Sequence, residues 1–145
     1  DWLELKGGVS LPQILVYKIQ IRCTTELSCP AWNGALTKVN IDKLEKLQKI
    51  AIKIILGEKY KSYKHALSVL KLETLYERRK KICISFANKT TKILKYKAWF
   101  MKNNVSSRTN TNNKYKSKKY FEIYARTSAY EKSPLIYLTN LLNNQ

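Results

Sequence analysis

The stretch Asn40–Gly57, NIDKLEKLQKIAIKIILG, decides how this chain of 145 residues folds. Ile41, Leu44, Leu47, Ala51, Ile54 and Ile55 recur at the spacing of one helical face. Asn40 is suited to cap the start, and Gly57 to end the helix with a positive φ. Lys46, Lys49 and Lys53 fall on the other face. Asp42 precedes Lys46 by four residues and Glu45 precedes Lys49 by four, so both pairs are placed to bridge on the surface, leaving Lys53 the freest of the three.

Outward from this helix the pattern stays helical. Ser62 opens a short helix carrying Ala66, Leu67 and Leu70. Thr74-Leu-Tyr-Glu77 has the spacing of a capping box, and the helix behind it runs to about Lys92 with Leu75, Ile82, Cys83 and Phe86 on one face. Arg79 projects onto that apolar face. An isolated buried charge is expensive, so Arg79 reads as a structural arginine bonded to a carboxylate or to helix-end carbonyls. Residues 93–102 form another helix or continue this one. Upstream, Ser10 to about Leu27 reads as a helix with Pro12 in its first turn, although Val16, Ile21 and Thr24-Thr25 blur its period. CPAWNGALT, Cys29–Thr37, follows as a corner: Pro30 stops the helix, Gly34 permits a turn, and Trp32 is expected to anchor the corner by its ring. Near the C-terminus, Ser133-Pro134 starts a last helix with Ile136, Leu138, Leu141 and Leu142. Between these helices, 103–119 turns to Asn, Ser, Thr and Lys, the composition of a flexible linker, and 120–132 reads as extended or irregular.

The expected fold is all-α: a small bundle of about five helices, a flexible basic linker and a short C-terminal helix. Four segments follow: a first helix and its corner in 1–37, a basic helical region in 38–102, the linker in 103–119, and a tail with a short helix in 120–145.

The net charge of +18 is concentrated in the middle of the chain. Residues 1–37 are neutral, 38–102 carry +13, 103–120 carry +5, and 121–145 are neutral. Such density attracts polyanions; the plainer reading is a solubilising lysine-rich surface. Three cysteines without a CxxC pair and one histidine argue against a zinc site and fit reduced thiols inside a cell, nuclear or cytoplasmic. The longest apolar run, Ile50–Leu56, is cut by Lys53, so no bilayer span and no membrane partner is expected. The chain opens on Asp1 without Met, as part of a longer protein would.

Enzyme readings meet hard limits. Asp1 and Asp42 are the two aspartates, with no acidic pair to hold two metal ions. His65, the sole histidine, lies in the first turn of a short helix and reads as a surface residue. The doublet Gly7-Gly8 is not followed by a GK[ST] phosphate loop. No catalytic residue, metal ligand or cofactor is assigned to this chain. Binding fares better. The candidate phosphate contacts are Lys53, then Arg78, Lys80 and Lys81 of the basic tetrad, then Lys89 and Lys92, with Lys95 and Lys97 downstream. Lys114, Lys116, Lys118 and Lys119 follow in the linker, interleaved with Tyr115 and Tyr120 as candidate stacking rings. No helix-turn-helix, zinc-finger or RNA-recognition signature is present, so no sequence-specific readout is expected.

The order of motifs carries a resemblance. LKGGVSLPQILVYKIQIRCTTELSCPAWNGALT, then LEKLQKIAIKIILG, then YKSYKHALSVLKLETLYERRKKICISFANK, and SPLIYLTNLLN at the end, resemble the C-terminal thumb and post-thumb part of reverse transcriptases of non-LTR retrotransposons. The likeness covers residues 5–92 and 133–143, including an LExxQKxAxxIILG helix at Leu44–Gly57 and LxTLxxRR at Leu72–Arg79. It implies a fragment of an RNA-directed DNA polymerase whose Mg²⁺-binding palm, fingers and endonuclease lie elsewhere, since no Asp-Asp pair occurs here. What it implies for this chain is a non-catalytic grip on RNA, DNA or their hybrid through the backbone, beside the parent's palm in cis. The alternative is a stand-alone helical protein-interaction module with a solubilising basic surface.

Overall fold

The computed structural model describes residues 4–5, 9–102 and 118–145, with side chains described from Pro12 onward. Lys114, Lys116, Tyr115, Gly7-Gly8 and nearly all of the expected linker lie outside the described residues. The protein is all-α. Eight α-helices are described: α1 (Leu11–Val16), α2 (Cys23–Glu26), α3 (Cys29–Trp32), α4 (Lys38–Leu56), α5 (Tyr63–Leu70), α6 (Leu75–Thr90), α7 (Ser128–Glu131) and α8 (Pro134–Asn143). A two-residue antiparallel ladder pairs Glu4–Leu5 with Val9–Ser10, and one isolated bridge joins Lys102 to Tyr120. The chain forms two compact units. One comprises 1–29 and 36–80; the other comprises 30–35 and 81–145.

The first unit is built on α4. Thr37, extended at φ −77° and ψ 157°, is its N-cap and accepts from the Asn40 amide at 3.4 Å. The helix therefore starts before Asn40, which supplies an amide to the cap instead of being the cap. Gly57 ends it at φ +52°, where a side chain would be strained. The buried face is turned from the expected stripe toward Gln48, Ala51, Ile52 and Leu56, while Leu47 is half in solvent and Ile54 is 74% exposed. The physical reason is a buried amide. Gln48 Oε1 accepts from the Tyr17 hydroxyl at 2.8 Å, and Gln48 Nε2 donates to the Glu73 carbonyl at 2.9 Å. Beside it, Glu45 turns inward and accepts from the Tyr63 hydroxyl instead of pairing on the surface with Lys49. The Lys49 ammonium stands 5.1 Å over the Tyr63 ring and that of Lys53 stands 5.3 Å over Tyr60.

Ile14 and Tyr17 complete this core with Ala66, Leu70 and Leu72. Their helix does not hold one period. After α1 the backbone runs as a π-helix over Tyr17–Arg22 before α2 resumes. A π-helix is wider than an α-helix, which accounts for the blurred spacing at Val16 and Ile21. Thr24 and Thr25 hydroxyls bond back to the carbonyls of Gln20 and Arg22. The helix ends at Leu27–Ser28, with Ser28 at φ +50°, and Pro30 enters the first turn of α3. Pro30 thus helps start a helix where it was expected to stop one. Ser62 caps α5, accepting from the His65 amide at 3.2 Å. Thr74 Oγ1 accepts from the Glu77 amide at 3.2 Å, but the Glu77 carboxylate accepts from the Thr74 hydroxyl at 3.0 Å, so the capping box closes through side chains.

In the second unit, α6 buries Cys83, Ala87 and Thr90 and leaves Phe86 largely exposed. Residues 94–99 form a 3₁₀ turn in which the Tyr96 and Trp99 ring centroids lie 4.7 Å apart. The expected irregular stretch 120–132 holds one helical turn, α7, capped by Thr127. In α8, Pro134 sits in the first turn and Ile136, Leu138, Thr139 and Leu142 are buried. The corner packs here. Trp32 is half-buried, whereas Asn33 is buried and its Nδ2 donates to the Tyr137 hydroxyl at 2.6 Å. A Cβ on Gly34 would stand 2.7 Å from Tyr137 Cβ and Cγ and 3.3 Å from the Lys132 carbonyl. Only glycine leaves room for the Tyr137 side chain at this position.

Burial pushes the Tyr17 phenol from 10.0 up to about 12. Burial, and next the bond to Glu45, also push Tyr63 upward. A phenol whose folded pKa is raised contributes stability that is present below pH 10. That stability is lost as pH rises from 10 through about 12, because the unfolded chain releases its proton first. The advantage of wild type over Tyr17→Phe in chemical denaturation is therefore expected to shrink across that interval, by about 1.4 kcal/mol per pH unit. Gln48→Leu removes the partner of both the Tyr17 hydroxyl and the Glu73 carbonyl and should cost about 2–4 kcal/mol. In a double-mutant cycle with Tyr17→Phe, the two losses should fall short of additivity by at least about 0.5 kcal/mol. Gly34→Ala should lower stability by about 1–3 kcal/mol, read as a fall in the thermal midpoint.

Candidate nucleic-acid interface

The exposed lysines of the second unit converge because three short elements meet. The last turn of α6 ends at Thr90 and the chain turns through Thr91 and Lys92 into the 3₁₀ turn Leu94–Trp99. Phe100 follows and is buried. The Lys102–Tyr120 bridge, reinforced by the Phe121 amide donating to the Met101 carbonyl at 2.9 Å, then brings the start of the tail alongside. Tyr120 is fixed in turn by Asn143 of α8. The side-chain Oδ1 accepts from the Tyr120 amide at 2.8 Å, and Nδ2 donates to its carbonyl at 3.1 Å. The Phe100 and Tyr120 rings meet edge to face at 6.2 Å.

These elements enclose a cleft of about 800 Å³. Lys92, Lys97, Lys102 and Lys119 line it, and none of its lining residues is acidic. The buried Phe100 and Tyr120 rings and the exposed Leu94 and Met101 side chains supply the apolar part of the lining. Four cations around one concavity repel one another and raise the local potential, which a polyanion relieves. The Lys119 ammonium lies 5.6 Å from the centroid of the Tyr120 ring.

The remaining sequence candidates separate. Lys80, Lys81 and Lys89 are exposed on α6. Arg78 is held within the first unit, its Nε 2.5 Å from Glu26 Oε1, and Arg22 approaches the same carboxylate at 3.7 Å. Its charge is therefore partly spent on the fold. Arg79 is fully buried and out of reach of any ligand phosphate. Lys53, exposed on α4 of the first unit, lies over Tyr60. Lys118 is 2.5 Å from Glu122. Tyr120 is buried, so it cannot serve as the stacking ring that its place among lysines suggested. Lys102 was missed: it ends an apolar run, and only the bridge to Tyr120, across the intervening segment, places it in the cleft. Lys97, which the sequence offered only as a lysine downstream of the basic tetrad, lines the cleft.

His65 is exposed at the start of α5. Among the described residues no group of three His, Cys, Asp or Glu side chains could hold a metal ion, and no helix is long and apolar enough to cross a membrane. Comparison of the chain with family models, with curated proteins and with solved structures returned no match.

Proposed function

We propose that this chain is a non-catalytic module that grips nucleic acid through its phosphate backbone without reading sequence. The observation that carries the reading is the cleft lined by Lys92, Lys97, Lys102 and Lys119 with no acidic neighbour in its lining. Phosphate contacts by lysine release counterions and give affinity without base recognition. The order of motifs in the sequence supports a finer form of the proposal: the C-terminal, thumb and post-thumb part of an RNA-directed DNA polymerase of a non-LTR retroelement. In that form the Mg²⁺ ions and the chemistry belong to the parent's palm in cis, and the working place is inside the cell, nuclear or cytoplasmic.

A second reading, a stand-alone protein-interaction module, has one observation in its favour. The first unit carries an apolar groove of about 310 Å³ lined by Pro12, Val16, Ile21, Ile54 and Ile55 among others.

The test is the salt dependence of binding to an RNA–DNA hybrid. Lys92→Glu with Lys97→Glu should weaken binding at every salt concentration and flatten the log–log slope by about 1.4–1.8, the share of two phosphate contacts. An unchanged slope in a folded double variant would remove the cleft from the interface. Absence of binding at low salt would favour the interaction module.

A further inference from the structure

The cleft offers more than charge. Leu94 is 89% exposed and Met101 is 68% exposed, and both line the cleft with the four lysines. A duplex presents phosphates outward and keeps its base faces stacked inside, so an apolar lining gains nothing from it. A single strand presents phosphates and free base faces together. We infer that the cleft takes single-stranded nucleic acid, with phosphates on Lys92, Lys97, Lys102 and Lys119 and unpaired bases laid against Leu94 and Met101. This rests on the nucleic-acid reading above and names the form of the ligand. Shape favours a strand over an anionic bilayer: the four lysines line one concavity together with the buried Phe100 and Tyr120 rings, whereas a flat lipid surface meets protruding charges. The Leu94 and Met101 side chains offer base edges no strong donor or acceptor, which fits tolerance of any sequence.

The experiment uses the full chain, a labelled 12-nucleotide oligouridylate, an RNA duplex of equal length, and phosphatidylserine vesicles. The single strand should bind about tenfold more tightly than the duplex near physiological salt, with a log–log slope of about −2.8 for four phosphates. Leu94→Ser with Met101→Ser changes only exposed side chains, so its fold is expected to persist, as circular dichroism would check. It should cost the strand at least about fivefold and leave duplex binding unchanged. Equal affinities for strand and duplex, or a double variant that weakens both alike, would overturn the inference while leaving the nucleic-acid reading standing. Vesicle binding without oligonucleotide binding, or no binding to any of the three, would overturn both.

Discussion

A buried glutamine amide organises the first unit. Gln48 lies in the middle of α4, on the face that a hydrophobic count assigns to the core, and it must be satisfied there at both ends. Its oxygen takes the Tyr17 hydroxyl and its nitrogen reaches the Glu73 carbonyl, so one side chain ties the first helical segment and the α5–α6 connection to α4. Apolar contacts alone would allow α4 to turn about its axis, since Leu47, Ile50 and Ile54 are as greasy as the residues that are buried. The two directional bonds select one rotation. The unit thus gives up some apolar burial, visible as exposed Leu and Ile, for a single register.

The helices themselves were legible because they follow from local chemistry. Ser62, Thr74 and Pro134 mark starts that need no tertiary context, and the period of α4 is long enough to override its lysines. What local chemistry cannot supply is the choice between two adjacent faces. A stripe drawn through apolar residues alone passes over Gln48 and takes in Leu47 and Ile54, which the structure leaves exposed. The first helix failed for a related reason: a period of 3.6 cannot describe Tyr17–Arg22, where the backbone widens to a π-helix. At the corner, Trp32 drew attention by size, yet the tight packing is at Asn33 and Gly34, whose partner Tyr137 is 104 residues away in the case of the Asn33 bond.

The candidate interface was legible as charge and illegible as a site. A count of cations cannot tell Arg78, held by Glu26 across 52 residues, from Lys92, which lines a cleft with no acidic residue in its lining. Nor can it gather Lys97, Lys102 and Lys119, since their meeting depends on a backbone bridge between distant segments and on Asn143 clamping Tyr120. Charge patterning supplied the class of ligand to test; the concavity and its apolar lining came from the fold.

The embrace of Gly34 by α8 also sets an order of events during synthesis. Asn33 and Gly34 leave the ribosome early, but Tyr137 is made about 5–20 s later at ordinary rates of elongation. The first unit draws on no residue beyond 80, while the corner, which belongs to the second unit, must wait for α8. Native packing of the corner is thereby the last contact of its unit to form: until α8 is made, the space beside Gly34 stays empty and Asn33 lacks the Tyr137 hydroxyl it donates to.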